Sequence, residues 1–150
     1  MNKLSQMFLM LLCISASNVH AGDESPNNCG KLSILITNTT DNLCKLDAKY
    51  LNHGYFTYSS MVPAVLPAHS TGQPFVLSQS FFGPDIDLTY KCGKSQDITI
   101  HTQQDACVFS AGYITGKVLS GNNMSAWSET GIGSYFWSQH GSIHWALEAK

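Results

Sequence analysis

The sequence predicts an all-β protein, an antiparallel β-sandwich or flattened barrel stapled by two disulfides, and three observations predict it. Short apolar segments of strand length recur along the chain, divided by Gly, Pro, Asn and Ser. Several alternate with a period of two: Ile86, Leu88 and Tyr90 against Asp85, Asp87 and Thr89, and Ile143, Trp145 and Leu147 against Ser142, His144 and Ala146. Helical periodicity is nearly absent, so parallel strands would lack the crossover helices they need, and antiparallel pairing is expected throughout.

The N-terminus has the parts of a signal peptide over residues 1–21: Lys3, the apolar run Phe8 to Ile14, and Val19-His20-Ala21, with cleavage expected after Ala21. That run falls far short of the roughly 20 apolar residues of a membrane span. Cys13 lacks the setting of a lipidated cysteine, because Met10 and Leu12 stand where Leu and a small residue are needed. The expected destination is secreted or periplasmic. Residues 22–30 read as a polar leader and residues 31–150 as a single domain. Leu32 to Asn38 is a β-branched run that ends in the turn-forming cluster Asn-Thr-Thr-Asp-Asn. Further strands are expected over 44–50, 61–66, 73–80, 85–92, 97–102, 107–111, 114–120, 124–130, 134–139 and 142–147. Residues 42–51 are also compatible with a short helix carrying Leu43, Leu46 and Tyr50 on one face. Ile34, Ile36, Ile86, Leu88, Ile98, Ile100, Ile143 and Leu147 are the expected core.

Beyond residue 21 the chain carries seven lysines, no arginine and ten acids, a net of −3 with His neutral. That balance argues against nucleic acid as a partner, since phosphate neutralisation and base reading lean on Arg and clustered positive charge. Cys29, Cys44, Cys92 and Cys107 make an even count in an exported chain, which points to two disulfides. Of the three possible connectivities the sequential one is expected, Cys29 with Cys44 and Cys92 with Cys107. Each such loop of 15 residues contributes about 3 kcal/mol in the chain-entropy model. There is no C-x-x-C pair to favour zinc.

Leu32-Ser-Ile-Leu-Ile-Thr-Asn-Thr-Thr-Asp, followed by His53-Gly54, Val62-Pro63, Leu66-Pro67, Pro74-Phe75 and the segment Gly83 to Tyr90, resembles the first half of the aegerolysin family over residues 31–92. The resemblance implies a secreted β-sandwich that recognises a particular membrane lipid, is not an enzyme, and in some members takes part in pore formation with a partner protein. The four cysteines depart from that family. Thr89-Tyr90-Lys91-Cys92-Gly93, with Tyr135-Phe136-Trp137 and Gly141, is similar to parts of small periplasmic lysozyme inhibitors. That second resemblance implies a protein-binding domain instead.

No catalytic constellation emerges. There is no Gly-x-Ser-x-Gly, and Gly131-Ile-Gly-Ser134 lacks the strand-to-helix turn of a nucleophile elbow. His140 and His144 are four apart but read as a surface pair, and His53 and His69 as turn residues. Asp85 and Asp87 share a strand face, as a carboxylate pair for calcium or sugar chemistry would, and two solvated acids are the expected reading. Neither an enzyme, a cofactor nor a metal is therefore expected. The aromatic residues remain: Tyr55, Phe56 and Tyr58, then Phe81 and Phe82, then Tyr135, Phe136 and Trp137. Neighbours on a strand point to opposite faces, so part of each group must lie outside the core. Tyr55, Phe56, Tyr58, Phe81, Phe82, Tyr135 and Trp137 form the pool of candidate ligand-binding residues, fewer than half of which are expected to make contact. The expected function is non-enzymatic recognition of a membrane lipid or glycan, with membrane activity and a partner protein as extensions of it. The alternative is a periplasmic protein-binding domain.

Overall fold

The structure, a computed structural model, describes residues 28–57, 60–108, 112–131 and 140–150. Numbered in chain order, its strands form two sheets. The first has the order β10 (Met124–Gly131), β11 (Gly141–Ala149), β1 (Lys31–Asn38), β6 (Phe75–Ser78) and β3 (Tyr55–Phe56), with β5 (Ser70–Thr71) pairing with the last turn-side residues of β1. The second has the order β4 (Val65–Leu66), β2 (Cys44–His53), β7 (Asp85–Cys92), β8 (Gln96–Gln104) and β9 (Ile114–Asn122). The chain passes from one sheet to the other between β9 and β10, where Asn123 adopts a positive φ of 51° that Asn tolerates better than most residues.

The faces that meet between the sheets are those marked by the alternating pattern. Ile34, Ile36, Ile143 and Leu147 come from one side and Ile86, Leu88, Ile98 and Ile100 from the other, each at most 1% exposed. Two amphipathic side chains in this core find partners for their polar atoms, as burial demands. Trp145 donates its indole N–H to Thr102 Oγ1 across the sheets at 2.8 Å, and Tyr90 donates its hydroxyl to the Pro63 carbonyl at 2.8 Å. Burial pushes the Tyr90 phenol well above its ordinary pKa. Residues 42–51 carry a strand rather than a helix. Of the expected strand 61–66, only Val65–Leu66 pairs; of 107–111, residues 107 and 108 belong to no strand and 109–111 lie outside the described residues, as do 134–139.

Two expectations are corrected. Pairing is not antiparallel throughout: β1 and β11 run parallel, from Leu32 opposite Gly141 to Asn38 opposite Leu147. They are the first and last strands, and the rest of the domain connects them, so no crossover helix is required. The disulfides join Cys29 to Cys107 and Cys44 to Cys92, not sequential neighbours. The reason is strand length. Cys29 precedes β1 and Cys44 follows it, and eight residues of strand at about 3.3 Å each hold the two at opposite ends of the sandwich. β8 separates Cys92 from Cys107 in the same way, whereas Cys44 and Cys92 sit directly opposite each other on β2 and β7, Cα atoms 4.0 Å apart.

The two ends of the sandwich differ in character. The Cys44–Cys92 end is organised by Asn38, fully buried, whose Nδ2 donates to the carbonyls of Asn42, Leu66 and Pro67 at 2.8, 3.0 and 3.0 Å. Its Oδ1 accepts from the Thr40 N–H and hydroxyl at 3.0 and 2.8 Å. The β-strand run ending in Asn therefore closes on a polar hub that fixes three loops. Of the expected leader, Asn28–Gly30 forms a single 3-10 turn, with Cys29 buried.

Candidate functional site

The opposite, Cys29–Cys107 end collects the aromatic side chains. Gly54 has φ 92°, and a Cβ there would run into the Ser78 carbonyl oxygen, so only glycine lets the chain turn from His53 to Tyr55 against β6. The loop between β6 and β7 lies across the same end. A Cβ at Gly83 would overlap the Gln104 carbonyl oxygen, so this glycine allows the loop to rest on the backbone that follows β8. Gln79 fastens it: its backbone N–H donates to the Gly30 carbonyl at 2.7 Å, its Oε1 accepts from the Cys107 N–H at 2.8 Å, and its Nε2 donates to the Cys107 carbonyl at 3.1 Å. The loop is thus tied to the disulfide itself.

On that base Phe81 stands 88% exposed and Phe82 56% exposed, their rings edge to face at 5.1 Å. The His53 ring lies 4.9 Å from Phe82. Tyr55 is exposed nearby, and Val108 and Tyr113, also exposed, flank the segment that Gly83 contacts, with the Asp105 N–H donating to the Tyr113 carbonyl at 2.9 Å. An apolar patch this open on a small domain is informative, because single exposed apolar residues are ordinary and clustered ones are not. At the same end, sharing Tyr55 with the patch, is a cleft of about 270 Å³ lined also by Lys31, Ser78, Ser80 and the Cys29–Cys107 bridge. Polar groups thus lie beside an apolar rim.

The pool of candidate residues divides accordingly. Tyr55, Phe81 and Phe82 come together at this end. Phe56 does not join them: it is half-buried, its ring 6.3 Å from Phe75 in the core and 4.8 Å from Lys49 Nζ. Tyr58, Tyr135 and Trp137 lie outside the described residues. Sequence reasoning missed Val108, Tyr113, His53 and the clamp residue Gln79. The only signal for them was proximity along the chain to Cys107 and Gly54, which means little until the loops are placed.

A second cluster lies on the outer face of the other sheet. Asp85 and Asp87 are not two solvated acids: their side chains are 15% and 24% exposed, and both face His101, itself 17% exposed. His101 Nδ1 is 2.7 Å from Asp87 Oδ1 and 3.4 Å from Asp85 Oδ1. Asn52 Nδ2 donates to Asp85 Oδ1 at 3.1 Å and Asp87 Oδ2 at 3.4 Å. His69 makes a simpler contact with Asp41 at 2.8 Å, both groups largely exposed, from a turn with φ 52°. His144 Nε2 lies 2.7 Å from Thr37 Oγ1 on the outer face of the first sheet, while His140 is exposed.

No protein-family model and no curated protein matches the chain. Solved structures do. The chain is similar in fold to the lipid binding protein Nakanori, with a TM-score of 0.55 at 9% identity over 80% of this chain and 71% of that one. It is similar to RahU, solved in complex with a TRIS molecule, with a TM-score of 0.59 at 9% identity over 82% and 97% of the two chains. For IP-1A from Alcaligenes faecalis the TM-score is 0.51 at 13% identity, over 83% and 94%. These likenesses define the class of fold, a small two-sheet β-sandwich. The aegerolysin resemblance is supported at that level, and the two disulfides fit an oxidising compartment outside the cytoplasm.

Proposed function

We propose that this protein is an exported, non-enzymatic binding protein that attaches to a lipid surface through its aromatic end. The observation that carries the reading is the cluster of Phe81, Phe82 and Tyr55 on a loop base fastened by Gln79 and the Cys29–Cys107 bridge. Rings held on a rigid base lose little freedom on binding, and amphipathic aromatics suit the boundary between headgroups and acyl chains. The cleft that Tyr55 shares, with Lys31 and two serines on its wall, is the place for a polar headgroup. The fold shared with a lipid binding protein is consistent with the reading.

Net charge decides what kind of binding this is. Beyond residue 21 the net charge is −3 and there is no arginine, so general attraction to anionic lipid contributes nothing. Affinity then comes from inserted rings and a specific headgroup, and survives high salt. Co-sedimentation with vesicles of phosphatidylcholine, sphingomyelin and sterol at low and high salt tests this. Binding at both, lost in Phe81→Ala/Phe82→Ala with the circular dichroism spectrum unchanged, is expected. Failure to bind any vesicle, with binding to a glycan or to a purified protein instead, overturns the lipid reading.

A further inference from the structure

We infer that Asp85, Asp87 and His101 form a binding site for a divalent first-row transition cation, with Asn52 as an accessory donor. The inference does not rest on the lipid reading. Its geometry follows from the β7–β8 hairpin: the turn over residues 93–95 sets a register in which Asp87 lies opposite His101 and Asp85 opposite Gln103. Asp85 and Asp87, two apart, point to the same face, and β2 brings Asn52 alongside. Three central strands of the sheet therefore hold the donor atoms, which gives a more exact site than a loop does.

The donor set argues for a metal and for its kind. One ligand atom from each of Asp85, Asp87 and His101 lies within 4.8 Å of the others. At zinc–oxygen and zinc–nitrogen distances of roughly 2.0–2.2 Å, tetrahedral ligand atoms are about 3.3–3.6 Å apart. Small side-chain rotations reach that spacing. No Lys ammonium pairs with Asp85 or Asp87 among the described residues, although Lys117 lies opposite His101 on β9, so two close carboxylates are balanced only by the imidazole and the Asn52 amide. An imidazole nitrogen beside two carboxylates suits Zn²⁺ and its neighbours rather than Ca²⁺ or Mg²⁺, which prefer oxygen alone. The residual exposure of all three groups leaves a side open for water or for an added ligand.

Binding requires the proton of His101 Nδ1, which faces Asp87 Oδ1, to leave that nitrogen. It moves to Nε2 if the ring is neutral and to solvent if the ring is cationic. This gives a readout specific to the residue. Chelator-stripped, untagged, disulfide-bonded protein is titrated with Zn²⁺, Mn²⁺ and Ca²⁺ by calorimetry and by ¹⁵N spectra of the histidine rings. One equivalent of Zn²⁺ is expected, bound more tightly than Mn²⁺ and far more tightly than Ca²⁺, with the His101 Nδ1 resonance shifted. His101→Gln and Asp87→Asn should each weaken binding by about tenfold or more, with melting curves showing that both remain folded. His69→Gln, which removes the exposed pair with Asp41, should leave binding unchanged. The proposal is overturned by the absence of Zn²⁺ binding, by Zn²⁺ shifting another histidine in place of His101, or by Ca²⁺ binding as tightly with no effect of His101→Gln.

Discussion

Replacing Cys44 and Cys92 by Ala removes the bridge between β2 and β7. That bridge spans 48 residues, and the chain-entropy relation gives about 4 kcal/mol for such a loop. The Cys29–Cys107 bridge spans 78 residues, but the inner bridge lies within it and short-circuits the chain. The effective outer loop is then about 30 residues, and its removal costs a little under 4 kcal/mol. Cys44 and Cys92 are fully buried, so their truncation also leaves a void and raises the loss at that position. Urea unfolding of the two double variants measures both numbers. Thiol counting separates the connectivities without any energy. Cys29→Ala with Cys44→Ala breaks both observed bridges and leaves Cys92 and Cys107 as thiols at opposite ends of the sandwich. Sequential pairing would leave none there. Zero thiols beyond any from Cys13, or a loss below about 1 kcal/mol in Cys44→Ala/Cys92→Ala, refutes the reasoning.

Asn38→Ala should destabilise by about 3 kcal/mol, because the buried Thr40 N–H and the Leu66 carbonyl lose their partner. Asn38→Asp should cost more at neutral pH, since it sets a carboxylate against three carbonyl oxygens; denaturant unfolding ranks the two. Tyr90 governs an alkaline limb. Its phenol is raised above the ordinary value near 10 by burial, so its contribution is complete below about pH 10 and is lost as pH rises toward the folded-state value. Tyr90→Phe, which also forfeits the bond to Pro63, should cost about 1 kcal/mol at pH 7. Thermal melts should show a shallower fall for Tyr90→Phe than for wild type above pH 10, and equal slopes would count against the account.

The core was legible where one face of a strand is buried and the other wet. β7, β8 and β11 show that alternation, and all eight residues expected inside are inside. The two-residue strands β3 and β5 carry no periodicity and could not be read. The parallel β1–β11 pair is a property of the whole topology, and no local pattern encodes it. Disulfide pairing could have been read: a strand of eight or nine residues between two cysteines holds them too far apart to bond. Of the candidate site, Tyr55, Phe81 and Phe82 were legible as aromatics beside Gly and Pro; the rule of alternating faces put Tyr55 and Phe56 on opposite faces without saying which turns inward, and Phe56, counted among the candidates, is the one that packs toward Phe75. His101 needed the hairpin register, which Gly93, at φ 72°, marks in the turn between β7 and β8.

The central claim is that one end of the sandwich meets the lipid, and hydrogen–deuterium exchange with and without vesicles tests it most directly. β1, eight residues long, holds the two ends about 26 Å apart, so protection at one end cannot be confused with protection at the other. The account predicts slowed exchange in residues 79–84, 105–108 and 112–113 on vesicle binding, with residues 40–43 and 93–95 unchanged. Protection confined to residues 40–43 and 93–95, or no change at residues 79–84 in protein that co-sediments with vesicles, would contradict it.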